Sequence, residues 1–275
     1  MTSAESFLDL VGNTPLVKLR AASEFTGCDI YGKAEFLNPG GSVKDRAAKA
    51  IIEAAEADGT LSQGGTIIEG TAGNTGISLA LAANSRGYKT IIVMPETQSQ
   101  EKKDALRVAK ADLKLVPALP YRDPGNYIRV SQSMALEMQK NPNSNVVWAN
   151  QFDNIANKNG HFSSTGPEIW KQTKGKIDGF ICAVGSGGTI AGVGSYLKTC
   201  NENIAIGLAD PLGSALFNYY EKGEFKSVGN SISEGIGQGR ITDNLKGFKP
   251  DYCFQISDEV ALPILYDLMS QEGLY

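Results

Sequence analysis

Short apolar runs alternate with longer amphipathic stretches along this 275-residue chain. Thr66-Ile67-Ile68-Glu69 predicts a strand, Ile77 to Arg86 a helix closed by Gly87, and Tyr88 to Met94 the next strand. A charged helix from Ser99 to Ala109 precedes a strand at Leu113 to Val116. A helix from about Tyr127 to Gln139 leads to the strand Val146-Val147-Trp148. Ile177 to Val184 reads as a buried strand, Ile190 to Lys198 as a helix and Ile204 to Leu208 as a strand. Apolar strands separated by helices long enough to cross over predict α/β architecture with largely parallel sheets.

One helix start carries more chemistry than the others, in Asn38-Pro39-Gly40-Gly41-Ser42-Val43-Lys44-Asp45-Arg46. Pro39 and the glycine pair punctuate the chain, Ser42 is expected to cap the helix, and Asp45 completes a variant of the capping box. Val43, Ala47, Ala50, Ile51 and Ala54 would form the apolar face. Lys44 then lies in the first turn, where the positive end of the helix dipole disfavours an ammonium. Such a lysine can form a Schiff base or carry a proton; a plain solvated lysine is the alternative.

Two further glycine-rich turns link strand ends to helix starts, Gly70-Thr71-Ala72-Gly73-Asn74-Thr75-Gly76 and Gly185-Ser186-Gly187-Gly188-Thr189. Loops there occupy the carboxyl edge of a parallel sheet and offer backbone N–H groups to anions. Neither is followed by the Gly-Lys-Ser/Thr of a Walker loop, and Ile190 stands where a dinucleotide fingerprint needs Gly or Ala. The second loop suits a single phosphate monoester. A phosphate cradle together with a Schiff-base lysine is what pyridoxal phosphate (PLP) requires.

Composition narrows the choice. The net charge is −4 without a basic block, which argues against nucleic acid or an anionic membrane as partner. No apolar run could span a bilayer, and the N-terminus lacks the features of a signal peptide. Cys28, Cys182, Cys200 and Cys253 are scattered without a Cys-x-x-Cys pair, so a reducing cytosolic compartment and no metal are expected. His161 is the sole histidine, which leaves most proton transfer to lysine, carboxylates, tyrosine or a cofactor. His161 itself is expected at the surface or at a helix start. Cys182 is expected in the core, Trp148 and Trp170 in packing, and Glu101-Lys102-Lys103-Asp104 on a solvated helix face.

Taken together, these segments resemble the cysteine synthase family, the fold type II PLP enzymes, nearly end to end. Val11-Gly12-Asn13-Thr14-Pro15-Leu16-Val17 is similar to the family's opening signature, and Thr165-Gly166-Pro167-Glu168-Ile169-Trp170 and Glu234-Gly235-Ile236-Gly237 are further family-like segments. The resemblance implies two three-layer α/β domains of the tryptophan synthase β-like kind. Residues 1–36 plus 155–275 would form a larger PLP-binding domain. Residues 37–154 would form a smaller, mobile one. It implies Lys44 as Schiff-base and catalytic lysine. Asn74 would bind the cofactor's phenolic oxygen, and Gly185, Ser186, Gly187, Gly188 and Thr189 its phosphate. Thr71, Ala72, Gly73, Asn74, Thr75 and Gln151 would bind the substrate carboxylate, with Gly235 lining the substrate side.

Two departures stand out. Ala72 replaces the serine usual in the carboxylate loop. The chain stops at Glu272-Gly273-Leu274-Tyr275, where the family's Gly-Ser-Ser-type segment is expected, which implies C-terminal truncation. The implied reaction is β-replacement of O-acetyl-L-serine by sulfide, giving L-cysteine and acetate. Condensation with homocysteine, as in cystathionine β-synthase, is the nearest alternative. A non-catalytic partner of serine acetyltransferase, binding its C-terminal tail, is the alternative from another class. A cytoplasmic homodimer is implied, with a mitochondrial place open for a eukaryotic chain.

Overall fold

The computed structural model describes residues 3–274; readings that rest on Met1, Thr2 and Tyr275 lie outside them. In chain order the first elements are β1 (Leu16–Lys18), α1 (Arg20–Thr26), β2 (Tyr31–Lys33), α2 (Lys44–Ala57), β3 (Thr66–Gly70) and α3 (Asn74–Arg86). Next come β4 (Lys89–Pro95), α4 (Gln100–Val108), β5 (Asp112–Val116), α5 (Tyr127–Gln139), β6 (Val146–Trp148) and α6 (Ala156–Gly160). The last are α7 (Gly166–Gln172), β7 (Gly179–Ala183), α8 (Gly188–Cys200), β8 (Ala205–Pro211), α9 (Leu216–Lys222), β9 (Tyr252–Ile256) and α10 (Asp258–Asp267). These elements fall into two compact units. One joins the stretch up to Gly12 with Glu35–Gly160; the other joins Asn13–Ala34 with the stretch from His161 onward.

The first unit holds a four-stranded sheet in the order β5-β4-β3-β6, every pair parallel. Consecutive residues of β3 point to opposite faces, and both faces are covered. Ile67 packs with Ile51 and Ile52 of α2 and Leu79 of α3, while Ile68 packs with Ala135 of α5 and Val146. That double burial is why Ile67-Ile68 reads as an unbroken apolar pair. The helix boundaries follow local chemistry. Ser99 Oγ accepts from Lys102 N–H at the start of α4, Asn126 Oδ1 from Ile128 N–H at the start of α5, and Gly87 ends α3 at φ 76°. The apolar face of α2 is turned from the expected one. Ala47 and Ile51 are buried, but Ala48, Ile52 and Ala55 join them, and Ala54 is exposed. Two neighbouring helical stripes are apolar here, and the buried face spans both, which leaves Ala54 outside it.

The second unit holds a parallel sheet in the order β7-β8-β9 and an antiparallel pair, β1-β2. Its core gathers Ile190, Val193 and Leu197 of α8 with Ile206 and Leu208 of β8, and Trp170 and Cys182 pack against it. Trp148, in the first unit, packs beside Ile68 and donates Nε1–H to Ser131 Oγ at 3.1 Å, so both tryptophans serve packing as expected. Among the described residues no helix is long and apolar enough to cross a membrane, and no group of three or more His, Cys, Asp or Glu is placed to hold a metal ion.

Candidate cofactor and substrate site

Lys44 is the first residue of α2 and is half-buried. Ser42 Oγ accepts its backbone N–H at 3.2 Å. The expected capping box does not form: Val43, not Ser42, holds the N-cap position, and the Asp45 side chain turns elsewhere. Asp45 is fully buried and accepts from Gly40 N–H at 2.6 Å and from the Ser78 hydroxyl of α3 at 2.5 Å. Burial pushes the Asp45 carboxyl up from its ordinary range, and these two hydrogen bonds pull the other way. A Cβ on Gly40 would stand 2.3 Å from Asp45 Oδ1, so the turn before Lys44 requires glycine there. Arg46 forms a two-pronged pair with Glu35, at 2.7 and 2.9 Å. Asn38 donates to Glu35 Oε2 at 2.8 Å and accepts from Gly12 N–H at 2.9 Å. The residues flanking Lys44 thus act as a brace. Asp45→Ala is expected to lower stability by about 1–3 kcal/mol, because it leaves the Gly40 and Ser78 donors without their acceptor. A thermal melt checks this; an unchanged midpoint would show that the brace carries no load.

The loop expected to bind a carboxylate leaves β3 at Gly70, where α5 comes so close that a Cβ would meet Tyr127 O at 2.5 Å. Thr71 is buried, with its N–H on Val93 O at 3.0 Å and its hydroxyl accepting from Gly73 N–H at 3.2 Å. Ala72 and Gly73 are half-buried, and Asn74, the first residue of α3, is exposed. No side chain caps α3 at Gly73, so the dipole and N–H groups of a 13-residue helix begin at this loop. Thr75 is buried and donates to Gln151 Oε1 at 2.7 Å. The structure therefore brings the loop and Gln151, 76 positions later, into direct contact. Asn157 Nδ2 steadies the Gln151 backbone carbonyl at 2.9 Å.

Two residues here were not assigned to the site from the sequence. Lys102, expected on a solvated face, is half-buried, and its Nζ lies 3.8 Å from where a Cβ would stand on Gly73. Its partners in the run, Glu101 and Asp104, are exposed as expected. Glu69, the penultimate residue of β3, is 1% exposed. Desolvation pushes its carboxyl up to about 8, against hydrogen bonds from the Gln151 side chain and from the Gln151 and Asn150 backbones. Its Oε2 has no hydrogen-bond partner. A carboxylate closing an otherwise apolar strand was the available signal.

In the second unit, Gly187 caps α8 at φ 88°, a left-handed conformation that favours glycine. A Cβ there would lie 2.5 Å from Leu245 Cγ, and one on Gly185 would lie 2.3 Å from Gly235 O. Gly235 therefore backs the loop that Gly185 opens. The Thr242 hydroxyl donates to Ser186 O at 2.8 Å, and Gly237 N–H donates to Val184 O at 2.7 Å. Ser186, Gly187 and Gly188 are buried, and Thr189 is half-buried. His161 is not at the surface. It begins a π-helical turn to Thr165, is 1% exposed, and shares hydrogen bonds with Thr165 Oγ1 at 2.8 Å and Thr189 Oγ1 at 3.2 Å. The fit to a phosphate monoester is good: a 13-residue helix start without a side-chain cap, a glycine cradle with no room for a Cβ, and Ser and Thr beside it.

The chain matches the model of a family described as pyridoxal-phosphate dependent enzyme over residues 7–275. It is similar to cysteine synthase 1 of Neurospora crassa, 50% identical over 277 residues, covering 99% of this chain and 72% of the relative. Cysteine synthase 1 of Emericella nidulans is 49% identical over 275 residues, with 97% and 72% covered. Among solved structures, an O-ureido-L-serine synthase superposes with a TM-score of 0.88 at 31% identity, covering 100% of this chain and 82% of that one.

Proposed function

We infer the reaction from one premise: the chain belongs to the pyridoxal-phosphate dependent enzyme family. It is a PLP-dependent enzyme of cysteine synthesis, converting O-acetyl-L-serine and sulfide to L-cysteine and acetate. The observation that carries this is the Thr75–Gln151 contact at an uncapped helix start, in a chain half identical to cysteine synthases. When bound, PLP supplies an electron sink for charge developing at the substrate's Cα.

The chain's own residues do the rest. Lys44 Nζ holds the cofactor and, once released, takes the proton from Cα and later returns it. Asn74 orients the cofactor through its phenolic oxygen. Gly185, Ser186, Gly187, Gly188 and Thr189 hold the phosphate on backbone donors. The α3 start, through Thr71, Ala72, Gly73 and Thr75, receives the substrate carboxylate together with Gln151. The Ala72 methyl offers no hydroxyl, so backbone N–H groups carry that part of the binding. The nearby Lys102 ammonium adds favourable charge. Gly235 lines the side from which substrate is taken. We further propose a homodimer in the cytoplasm, movement of the region from Gln98 to Val146 on carboxylate binding, and docking of the C-terminal tail of serine acetyltransferase.

Gln151→Ala is expected to raise KM for O-acetyl-L-serine by about tenfold or more, the value of one charge-assisted hydrogen bond, while cofactor affinity changes little. Steady-state kinetics beside a PLP titration check this. An unchanged KM would remove Gln151 from the site. Parallel assays with sulfide and homocysteine test the nucleophile; faster turnover with homocysteine would replace the cysteine assignment.

A further inference from the structure

Glu69 sits behind the carboxylate site with one unpartnered oxygen, and the mechanism above does not use it. The Gln151 amide is held from two sides: its oxygen accepts the Thr75 hydroxyl at 2.7 Å, and its side chain is hydrogen-bonded to Glu69. Thr75 donates its hydroxyl to the amide oxygen, which leaves the amide nitrogen facing Glu69, and the carbonyl oxygen of a neutral Glu69 carboxyl accepts from it. An amide nitrogen carries two N–H protons, and a bond from one to the carboxyl oxygen sets the direction of the other. We propose that Glu69 is a positioning residue for the carboxylate site, aiming the Gln151 amide while neutral and weakening anion binding when ionised. This rests on the assignment of Gln151 to the substrate carboxylate.

The physical reason is charge. A neutral carboxyl behind the amide costs an incoming anion nothing. An ionised one places a buried negative charge a single amide away, where water screens it poorly. Other charged groups nearby have distinct behaviour. From α5, Tyr127 is a half-buried phenol whose ionisation is pushed up by burial and by the Glu69 charge. From α4, Lys102 lies at Gly73. From α2, Asp45 reaches α3 through Ser78. β4 sets Ile92 beside Glu69, and β6 contains no titratable residue. Burial holds the Glu69 carboxyl protonated up to about 8, so anion affinity is retained below that value and lost as pH rises through it.

The test uses propionate, an anion without an amine, titrated calorimetrically into the PLP-loaded chain at pH values on both sides of about 8. Wild type is expected to lose on the order of tenfold in affinity across the interval, from the repulsion of one poorly screened charge. Glu69→Gln is expected to bind with little pH dependence, and Tyr127→Phe to keep the wild-type loss. Infrared spectra of wild type are expected to lose a protonated-carboxyl band over the same interval, a readout that needs no folded variant. A flat wild-type profile, a loss that persists in Glu69→Gln, or one removed by Tyr127→Phe overturns the proposal and leaves Gln151 in the site. If Gln151→Ala binds propionate as wild type does, the assignment of Gln151 fails, and the proposal falls with it.

Discussion

Lys44→Ala is expected to abolish covalent attachment of PLP and to reduce cysteine formation by on the order of a thousandfold or more, since one amine serves as both anchor and proton carrier. Borohydride reduction followed by peptide mapping is the direct check: wild type should carry the label on the peptide containing Lys44, and the variant should carry none. The effect should be chemical rather than structural. The helix start depends on Asp45, Arg46 and Asn38, whose bonds to Gly40, Ser78, Glu35 and Gly12 do not involve the Lys44 side chain. The variant should therefore melt close to wild type. Substantial turnover in Lys44→Ala would sink the assignment of this lysine.

Gly185→Ala should damage cofactor binding by a different route. Its new methyl would meet the Gly235 carbonyl oxygen at 2.3 Å, and a backbone atom cannot swing aside as a side-chain tip can. Either the Gly185–Thr189 loop or the Gly235 segment must shift. Overpacking of this kind costs about 1–3 kcal/mol. If half of that is lost from the phosphate site, PLP affinity falls by about two- to tenfold. Gly223→Ala is the control: it has positive φ at 73° but nothing within 4 Å of the new methyl. It should show backbone strain of about 1 kcal/mol in a melt and unchanged PLP affinity. Equal losses of affinity in both variants would refute the steric argument.

The elements were legible where one physical cause dominated. Buried parallel strands announce themselves as apolar pairs such as Ile67-Ile68, and Gly87 marked a helix end because left-handed backbone favours glycine. The Asn126-capped α5 and the strand Val146–Trp148 were read to the residue. What escaped depends on contacts between distant positions. Asp45 looked like a partner for the helix start next to it, but the Gly40 turn and Ser78 claim both of its oxygens. Ala54 lost its place in the core because α2 offers two apolar stripes and the buried face, spanning both, ends at Ala55. His161 does start a helical turn, as one of its two readings had it, but it is buried there and joins that turn to Thr189. Glu69 gave no periodic signal at all, since a single carboxylate at a strand end could as well face solvent.

The sole histidine also gives this protein a spectroscopic advantage. Imidazole protons resonate apart from most of the spectrum, and here just one ring contributes them. That ring is shielded from solvent and hydrogen-bonded to the threonine that ends the Gly185–Thr189 loop. A proton or nitrogen NMR spectrum of the unmodified chain should thus hold one assignable signal that reports, without any attached label, whether a phosphate has settled on the loop.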